Sequence, residues 1–221
     1  MRRKPGFVTS ELRAVTRVPM FPLGTVLLPG GVLPLHVFEE RYKRLSKYCV
    51  SNESPFGVVL IERGQEVGGG DERASIGCLA EIIQYDQMSD GRANLVILGT
   101  SRIYIEQWHS DSPYPAASVR ESEEDSSNSA MLEAQGLLQR LKALVDKARL
   151  HGHQLPEFDE DAMVVGLTAT ELIYRIADLI PAGPFDRQRI LAASGCAERL
   201  VLIGEHLQGL EEILDAQGGQ P

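Results

Sequence analysis

The chain has 221 residues, of which 43% are hydrophobic, 24% charged and 6% aromatic. This composition excludes collagen-like and wholly disordered chains, and the length is enough for one compact domain or two small ones. No stretch approaches the roughly 20 apolar residues of a membrane helix, and the basic start leads into no apolar run, so we expect a cytoplasmic protein with no membrane partner.

Charge and cysteine content narrow the function classes further. Residues 1–120 carry 14 basic and 13 acidic side chains, whereas residues 121–221 carry 8 and 18. The net charge of −9 argues against a nucleic-acid partner, although the near-neutral first half leaves that question open there. Cys49, Cys78 and Cys196 are an odd number and lie far apart, which predicts reduced, mostly buried thiols without a disulfide or a zinc site.

Short apolar runs separated by proline and glycine predict a β-rich region over residues 14–120. Asp90-Gly91 predicts a hairpin turn that pairs the third and fourth runs as antiparallel neighbours. Six runs predict six strands: Ala14–Met20, Phe56–Glu62, Ile76–Tyr85, Asn94–Leu98, Ile103–Trp108 and Ala116–Val119.

One helix is predicted within this region, over Phe38–Val50. Its apolar residues recur at spacings of four, three and four, so one stripe should face the sheet. The stripe consists of Phe38, Tyr42, Leu45 and Cys49.

The pattern changes after residue 120. The segment ESEEDSSNS, residues 121–129, has no apolar residue and predicts an acidic, serine-rich linker that buries nothing. We therefore expect a basic tail at 1–13, a β-rich domain at 14–120, the linker at 121–129, a helical subdomain at 130–216 and a short tail at 217–221.

Helical periodicity dominates the second half. Helices are predicted over 130–150, over 157–180 with a fresh start at a Thr168–Glu171 capping box, and from a cap at Asp186 to Ala193. A last helix, Ala197–Ala216, carries a short apolar seam that favours a small bundle over a dimerising coiled coil. The seam is Leu200, Ile203, Leu207, Leu210 and Leu214.

Motifs for catalysis and cofactor binding are missing from the sequence. It contains no GxxxxGK[ST], GxSxG or HExxH, and none of its five lysines lies in a small-residue setting that suits Ser-Lys catalysis. The acidic cluster Glu157, Asp159, Glu160 and Asp161 is explained by the preference of a first helical turn for acids. We predict a non-enzymatic protein without metal or cofactor; a hydrolase using Asp86 and Asp90 is the weaker alternative.

The most unusual stretch is residues 18–42, VPMFPLGTVLLPGGVLPLHVFEERY, which four prolines divide into short apolar pieces. Proline lacks a ladder donor, so this segment is predicted to run at a sheet edge or across a face and not as a central strand. Its motifs are Pro22-Leu23, Leu28-Pro29-Gly30, Leu33-Pro34-Leu35, Phe38-Glu39 and Arg41-Tyr42, followed in order by Phe56-Gly57-Val58-Val59, Ile76-Gly77-Cys78, Asp90-Gly91-Arg92, Gly99 and Arg102-Ile103.

Together these motifs resemble the N-terminal substrate-binding domain of the Lon protease family. The resemblance implies an α+β protein with a PUA-like β-barrel and one helix, followed by a small α-helical subdomain. The ATPase and protease domains of full-length Lon have no counterpart in the sequence, so the resemblance implies a stand-alone recognition domain and carries over no proteolytic or ATP-dependent activity.

The leading hypothesis is a polypeptide-binding module whose proline-interrupted segment offers a groove or sheet edge to extended, unfolded chains. Its expected partners also include a separate protease or chaperone. The alternative is RNA binding by the basic residues Arg2, Arg3, Lys4, Arg13 and Arg17 together with Arg41, Lys43, Arg44 and Lys47. The peptide-binding candidates are Phe21, Leu27, Leu28, Val32, Phe38 and Tyr42.

Overall fold

The computed structural model describes residues 15–64, 71–124, 128–155 and 163–218. The predicted basic tail at 1–13, residues 219–221 of the predicted short tail, the acidic cluster at 157–161 and residues 125–127 of the predicted linker lie outside these ranges. Residues 217 and 218, predicted as tail, belong to the last helix. The strands are β1 (Thr16–Leu23), β2 (Val32–Val37), β3 (Phe56–Arg63), β4 (Glu72–Gln87), β5 (Ala93–Trp108) and β6 (Ala116–Glu121). The helices are α1 (Glu40–Asn52), α2 (Met131–Leu150), α3 (Ala169–Leu179), α4 (Pro184–Ala192) and α5 (Cys196–Gly218).

Five of the strands form a closed ring. β1 runs parallel to β3, and the pairs β3–β4, β4–β5, β5–β6 and β6–β1 are antiparallel. β5 is 16 residues long, so one of its sides has room for two partners. Its second half pairs with β6 and its first half with β2, which lies at the end of the sheet.

The predicted hairpin is confirmed, because β4 and β5 are antiparallel neighbours on either side of the Asp90-Gly91 turn. Gly91 has a φ of 82°, a value that glycine adopts without strain. Within the described residues the count of six strands is right, but two assignments are wrong. Asn94–Leu98 and Ile103–Trp108 are parts of the single strand β5, and Val32–Val37 was not predicted as a strand.

Both β1 and β2 contain proline, and the sheet accommodates the prolines of each strand in a different way. The predicted edge position of the segment is right for β2, whereas β1 lies between β3 and β6 in the sheet order. β1 tolerates Pro19 and Pro22 because its two halves use different partners: Thr16–Pro19 pair with β6, and Met20–Leu23 with β3.

The helices agree with the predicted periodicity apart from two details, except that the predicted stretch 157–180 is tested only in part. Residues 157–162 lie outside the described ranges, and Ala169–Leu179 of the stretch form α3. In α1, Tyr42, Leu45 and Cys49 are buried, but Phe38 precedes the helix and is 51% exposed, so its place in the buried stripe was wrong. The Thr168–Glu171 capping box is confirmed. Asp186 does not cap α4: the helix begins at Pro184 after Gly183, since proline at a first helical position loses no backbone hydrogen bond.

Two hydrophobic clusters form the core. The first joins barrel residues such as Met20 and Ile103 to helix residues such as Leu138 and Ile203. The second lies between α1 and the sheet and contains Phe21. The buried free thiols of all three cysteines are confirmed.

A buried ionic cluster connects the barrel to the helices. The Glu124 carboxylate accepts hydrogen bonds from Arg199 of α5, at 2.7 and 3.1 Å, and lies 2.8 Å from Nε of Arg102 on β5. Both arginines are at most 2% exposed. Ser122 is also buried and accepts a hydrogen bond from Arg102, so the prediction that residues 121–129 bury nothing is wrong.

Candidate functional site

A groove of about 220 Å³ lies where β1 and β2 fail to pair with each other. Phe21, Pro22 and Leu23 of β1 form one wall, and residues 33–37 of β2 form the other. Thr25, which follows β1, and Phe38, Glu39 and Tyr42, which lie just before and in the first turn of α1, complete the lining. The groove is therefore bordered by backbone from two strands and by aromatic side chains.

The glycine turn before β2 fixes which backbone groups face this groove. The Gly30 N–H donates to the Gly99 carbonyl (2.8 Å), and the Gly99 N–H donates to the Gly31 carbonyl (2.9 Å). With Gly30 at a φ of 78°, this is a G1 bulge. A Cβ at Gly99 would lie 2.3 Å from the Leu28 carbonyl oxygen, so this position requires glycine.

The alternation of the antiparallel ladder then assigns the rest of β2. Since Gly31 bonds to Gly99, the next residue bonded to β5 is Leu33, opposite Ile97. The backbone groups of Val32, Pro34 and His36 consequently point away from β5, along the outer edge of the sheet. Pro34 has no N–H, so its place at this edge costs no ladder bond.

The backbone groups of β1, the opposite wall, can be assigned in the same way. The Met20 N–H donates to the Pro115 carbonyl at 2.8 Å, on the side of β1 away from β3. Alternate residues of a strand direct their backbone groups to the same side. Pro22 therefore presents its carbonyl on this side as well, and its ring lines the groove.

An aromatic stack forms the inner part of the groove. The rings of Phe21 and Tyr42 are nearly parallel, with centroids 4.0 Å apart, and Phe56 lies behind Phe21 at 6.2 Å. The Arg41 guanidinium lies 4.5 Å from the Tyr42 ring centroid, and its Nε donates to Glu39 at 3.1 Å. This packing gives the groove a firm apolar base.

The rim is formed by Phe38 and His36. Their ring centroids are 6.2 Å apart, and Phe38 is 51% exposed. His36 is held in place by Asn94 of β5, with Nδ1 and Oδ1 at 2.8 Å. A large apolar ring is thus available to solvent beside an unpaired strand edge.

Tyr42 carries a polar group that its surroundings leave unsatisfied. Its hydroxyl is buried without a hydrogen-bond partner among the described residues. Burial raises the pKa of this hydroxyl to about 12. It remains a neutral O–H over the whole physiological range of pH.

The six predicted binding residues do not all meet at this groove. Phe21, Phe38 and Tyr42 line it. Val32 is 54% exposed on the outer edge of β2, whereas Leu27 and Leu28 are 3% and 0% exposed and belong to the cores. The groove residues Pro22, Leu33, Pro34 and His36 are not among the predicted peptide-binding residues. The alternation of apolar and other residues in VLPLHV indicates a strand there, but its proline argues against that assignment.

The described ranges contain neither a metal-binding cluster nor a membrane-spanning helix. No group of three or more histidine, cysteine, aspartate or glutamate side chains is placed to hold a metal ion there. Within the same ranges, every helix is too short or too polar to cross a bilayer.

The fold agrees with that of the known proteins that the chain matches. The sequence model of the ATP-dependent protease La (LON) substrate-binding domain matches residues 17–209. The Lon N-terminal domain protein from Xanthomonas campestris superposes with a TM-score of 0.64 at 25% identity, over 86% of this chain and 98% of that chain. The chain belongs to the LON substrate-binding domain family and has its α+β fold.

Its relatives include much longer proteins. The Lon protease of Anaeromyxobacter dehalogenans is 32% identical over 89% of this chain, and Lon protease 2 of Myxococcus xanthus is 31% identical over 95%. The chain spans only about a quarter of the length of these relatives, 24% and 25%. The similarity covers their substrate-binding region, and neither the protease nor the ATPase part is matched.

Proposed function

We propose that this chain is a polypeptide-recognition module that holds an extended segment of an unfolded protein in the groove between β1 and β2. Membership of the substrate-binding family supports recognition of protein substrates. The observation that carries the proposal is the combination of the half-exposed Phe38 with the outer edge of β2 beside it.

The groove suits an extended chain because its walls are strand edges. The six residues of β2 extend over roughly 20 Å, the length of six extended residues of a bound chain. Backbone pairing along such an edge needs no particular side-chain sequence, while apolar side chains of the guest would contact Phe38 and Leu35. Broad selectivity for unfolded segments follows from this arrangement.

Binding to reduced, carboxymethylated lactalbumin, a permanently unfolded chain, tests the proposal by fluorescence anisotropy. We expect saturable binding at micromolar concentrations, weakened about tenfold by Phe38→Ala. The matched control is Phe185→Ala, which removes a 64% exposed phenylalanine from α4 in the helical half. Absence of binding at tens of micromolar, or equal losses in the two variants, contradicts the proposal.

The proposal extends to an adaptor role, in which the bound chain is passed to a separate protease or chaperone. Its support is the relatives in which this region accompanies a protease part. The test is digestion of carboxymethylated lactalbumin by a Lon protease that lacks its own N-terminal domain. We expect this chain to accelerate digestion and Phe38→Ala to accelerate it less; an unchanged rate contradicts the adaptor role.

RNA binding has no support among the described residues. Arg2, Arg3, Lys4 and Arg13, on which that alternative mainly depends, lie outside the described residues. No observation within the described ranges favours it.

A further inference from the structure

We infer that the groove selects its guest by the guest's free backbone N–H groups, because the strand edges that border it offer mainly carbonyl acceptors. This inference rests on the proposed function and specifies which feature of an unfolded chain is recognised. It depends on Pro22 and Pro34, which face the groove from opposite walls.

The inventory of edge groups follows from the strand registers. The outer edge of β2 presents the carbonyls of Val32, Pro34 and His36, but N–H groups from Val32 and His36 only. The groove side of β1 adds the carbonyl of Pro22 without an N–H. Acceptors therefore outnumber donors, and the imbalance is greatest at the centre of the groove.

The same imbalance explains why the two walls do not close on each other. A ladder between β1 and β2 would need N–H donors at Pro22 and Pro34, where proline provides none. Proline at an edge is a known protection against unwanted strand pairing. An external chain that brings its own donors is complementary to both walls.

The consequence is specificity set by the backbone. A guest segment with consecutive free N–H groups can satisfy the carbonyls, whereas proline or an N-methylated residue at those positions leaves a desolvated carbonyl unpaired. We infer that proline-rich segments are poor guests even where their side chains are apolar.

Backbone-modified peptides test this inference. The parent is a capped peptide of alternating leucine and threonine with lysine at both ends, compared with variants N-methylated at single positions along its length. N-methylation should weaken binding roughly three- to tenfold at the positions whose N–H faces the carbonyls of β2 and at the position that faces the Pro22 carbonyl of β1, and by less than about twofold at the other positions. Thioamide variants, which keep the N–H and weaken the carbonyl acceptor, should remain within about twofold of the parent.

The outcomes separate the inference from the proposal it rests on. The N–H selection is overturned if the parent peptide binds and every N-methylated peptide binds as tightly as the parent. It is also overturned if the thioamide variants lose as much affinity as the N-methylated ones. Failure of the unmodified peptide and of carboxymethylated lactalbumin to bind overturns the proposed function itself.

Discussion

Tyr42 has a hydroxyl that is buried without a partner among the described residues, and this gives a direct test of the groove's structure. Tyr42→Phe removes only that oxygen and keeps the stack on Phe21. At pH 8 we expect the variant to be as stable as the wild type or about 1 kcal/mol more stable, because an unsatisfied polar group is lost. A loss of more than about 1 kcal/mol in urea unfolding would show that the hydroxyl has a partner in solution.

The pH dependence of stability gives a second readout of the same residue. Burial raises the pKa of Tyr42 from 10.0 to about 12, so the unfolded chain releases this proton first as the pH rises. This difference in pKa leaves the free energy of unfolding unchanged below pH 10 and lowers it as the pH rises from 10 to 12. From pH 8 to pH 11 the wild type should lose about 1 kcal/mol more free energy of unfolding than Tyr42→Phe. Parallel pH profiles would contradict burial of the hydroxyl.

Glu124 provides a test at the junction of barrel and helices. Glu124→Gln leaves Arg102 and Arg199 buried without their shared carboxylate, which should lower the free energy of unfolding by about 3 kcal/mol. The control is Glu106→Gln, which breaks an exposed ion pair with Arg120 and should cost less than about 1 kcal/mol. Similar unfolding midpoints for the two variants would contradict the buried cluster.

At the scale of elements, β2 illustrates how edge strands are controlled. Pro34→Val adds an outward N–H in the centre of the free edge without removing a bond to β5. We expect concentration-dependent self-association by sedimentation velocity, because a continuous edge can pair with a second copy. The control is Pro181→Val, at an exposed proline beyond α3, which should sediment as the wild type does at every concentration. A monomeric Pro34→Val protein at hundreds of micromolar would contradict the assigned edge.

The elements also show what sequence can and cannot predict here. The positions of α2, α3 and α5, the β4–β5 hairpin and the Thr168–Glu171 capping box follow from local periodicity and turn chemistry, and the structure confirms them. β2 was not predicted because a proline argues against a strand unless its nitrogen is known to face the free edge. Which edge the nitrogen faces depends on the bulge that Gly30 and Gly31 form with the distant Gly99. Burial of Leu28 likewise depends on long-range packing.

At the scale of the whole molecule, the first hydrophobic cluster extends through barrel and helices alike. The two halves should therefore unfold together, as small cooperative units do. Trp108, the single tryptophan, reports on β5, and far-ultraviolet circular dichroism reports mainly on the helices. Both signals should share one urea midpoint, and Leu138→Ala should lower the free energy of unfolding obtained from each signal by the same amount, about 2 to 5 kcal/mol. Separate transitions would show that the halves fold independently.

Amide hydrogen exchange at β2 tests the proposed recognition most directly. In the free protein the N–H groups of Val32 and His36 have no ladder partner on β5 and should exchange rapidly, whereas those of Leu33 and Leu35 should be protected. Saturating carboxymethylated lactalbumin should slow exchange at Val32 and His36 at least tenfold. Unchanged exchange at these two amides, or protection confined to the helical half, would contradict binding of an unfolded chain along this edge.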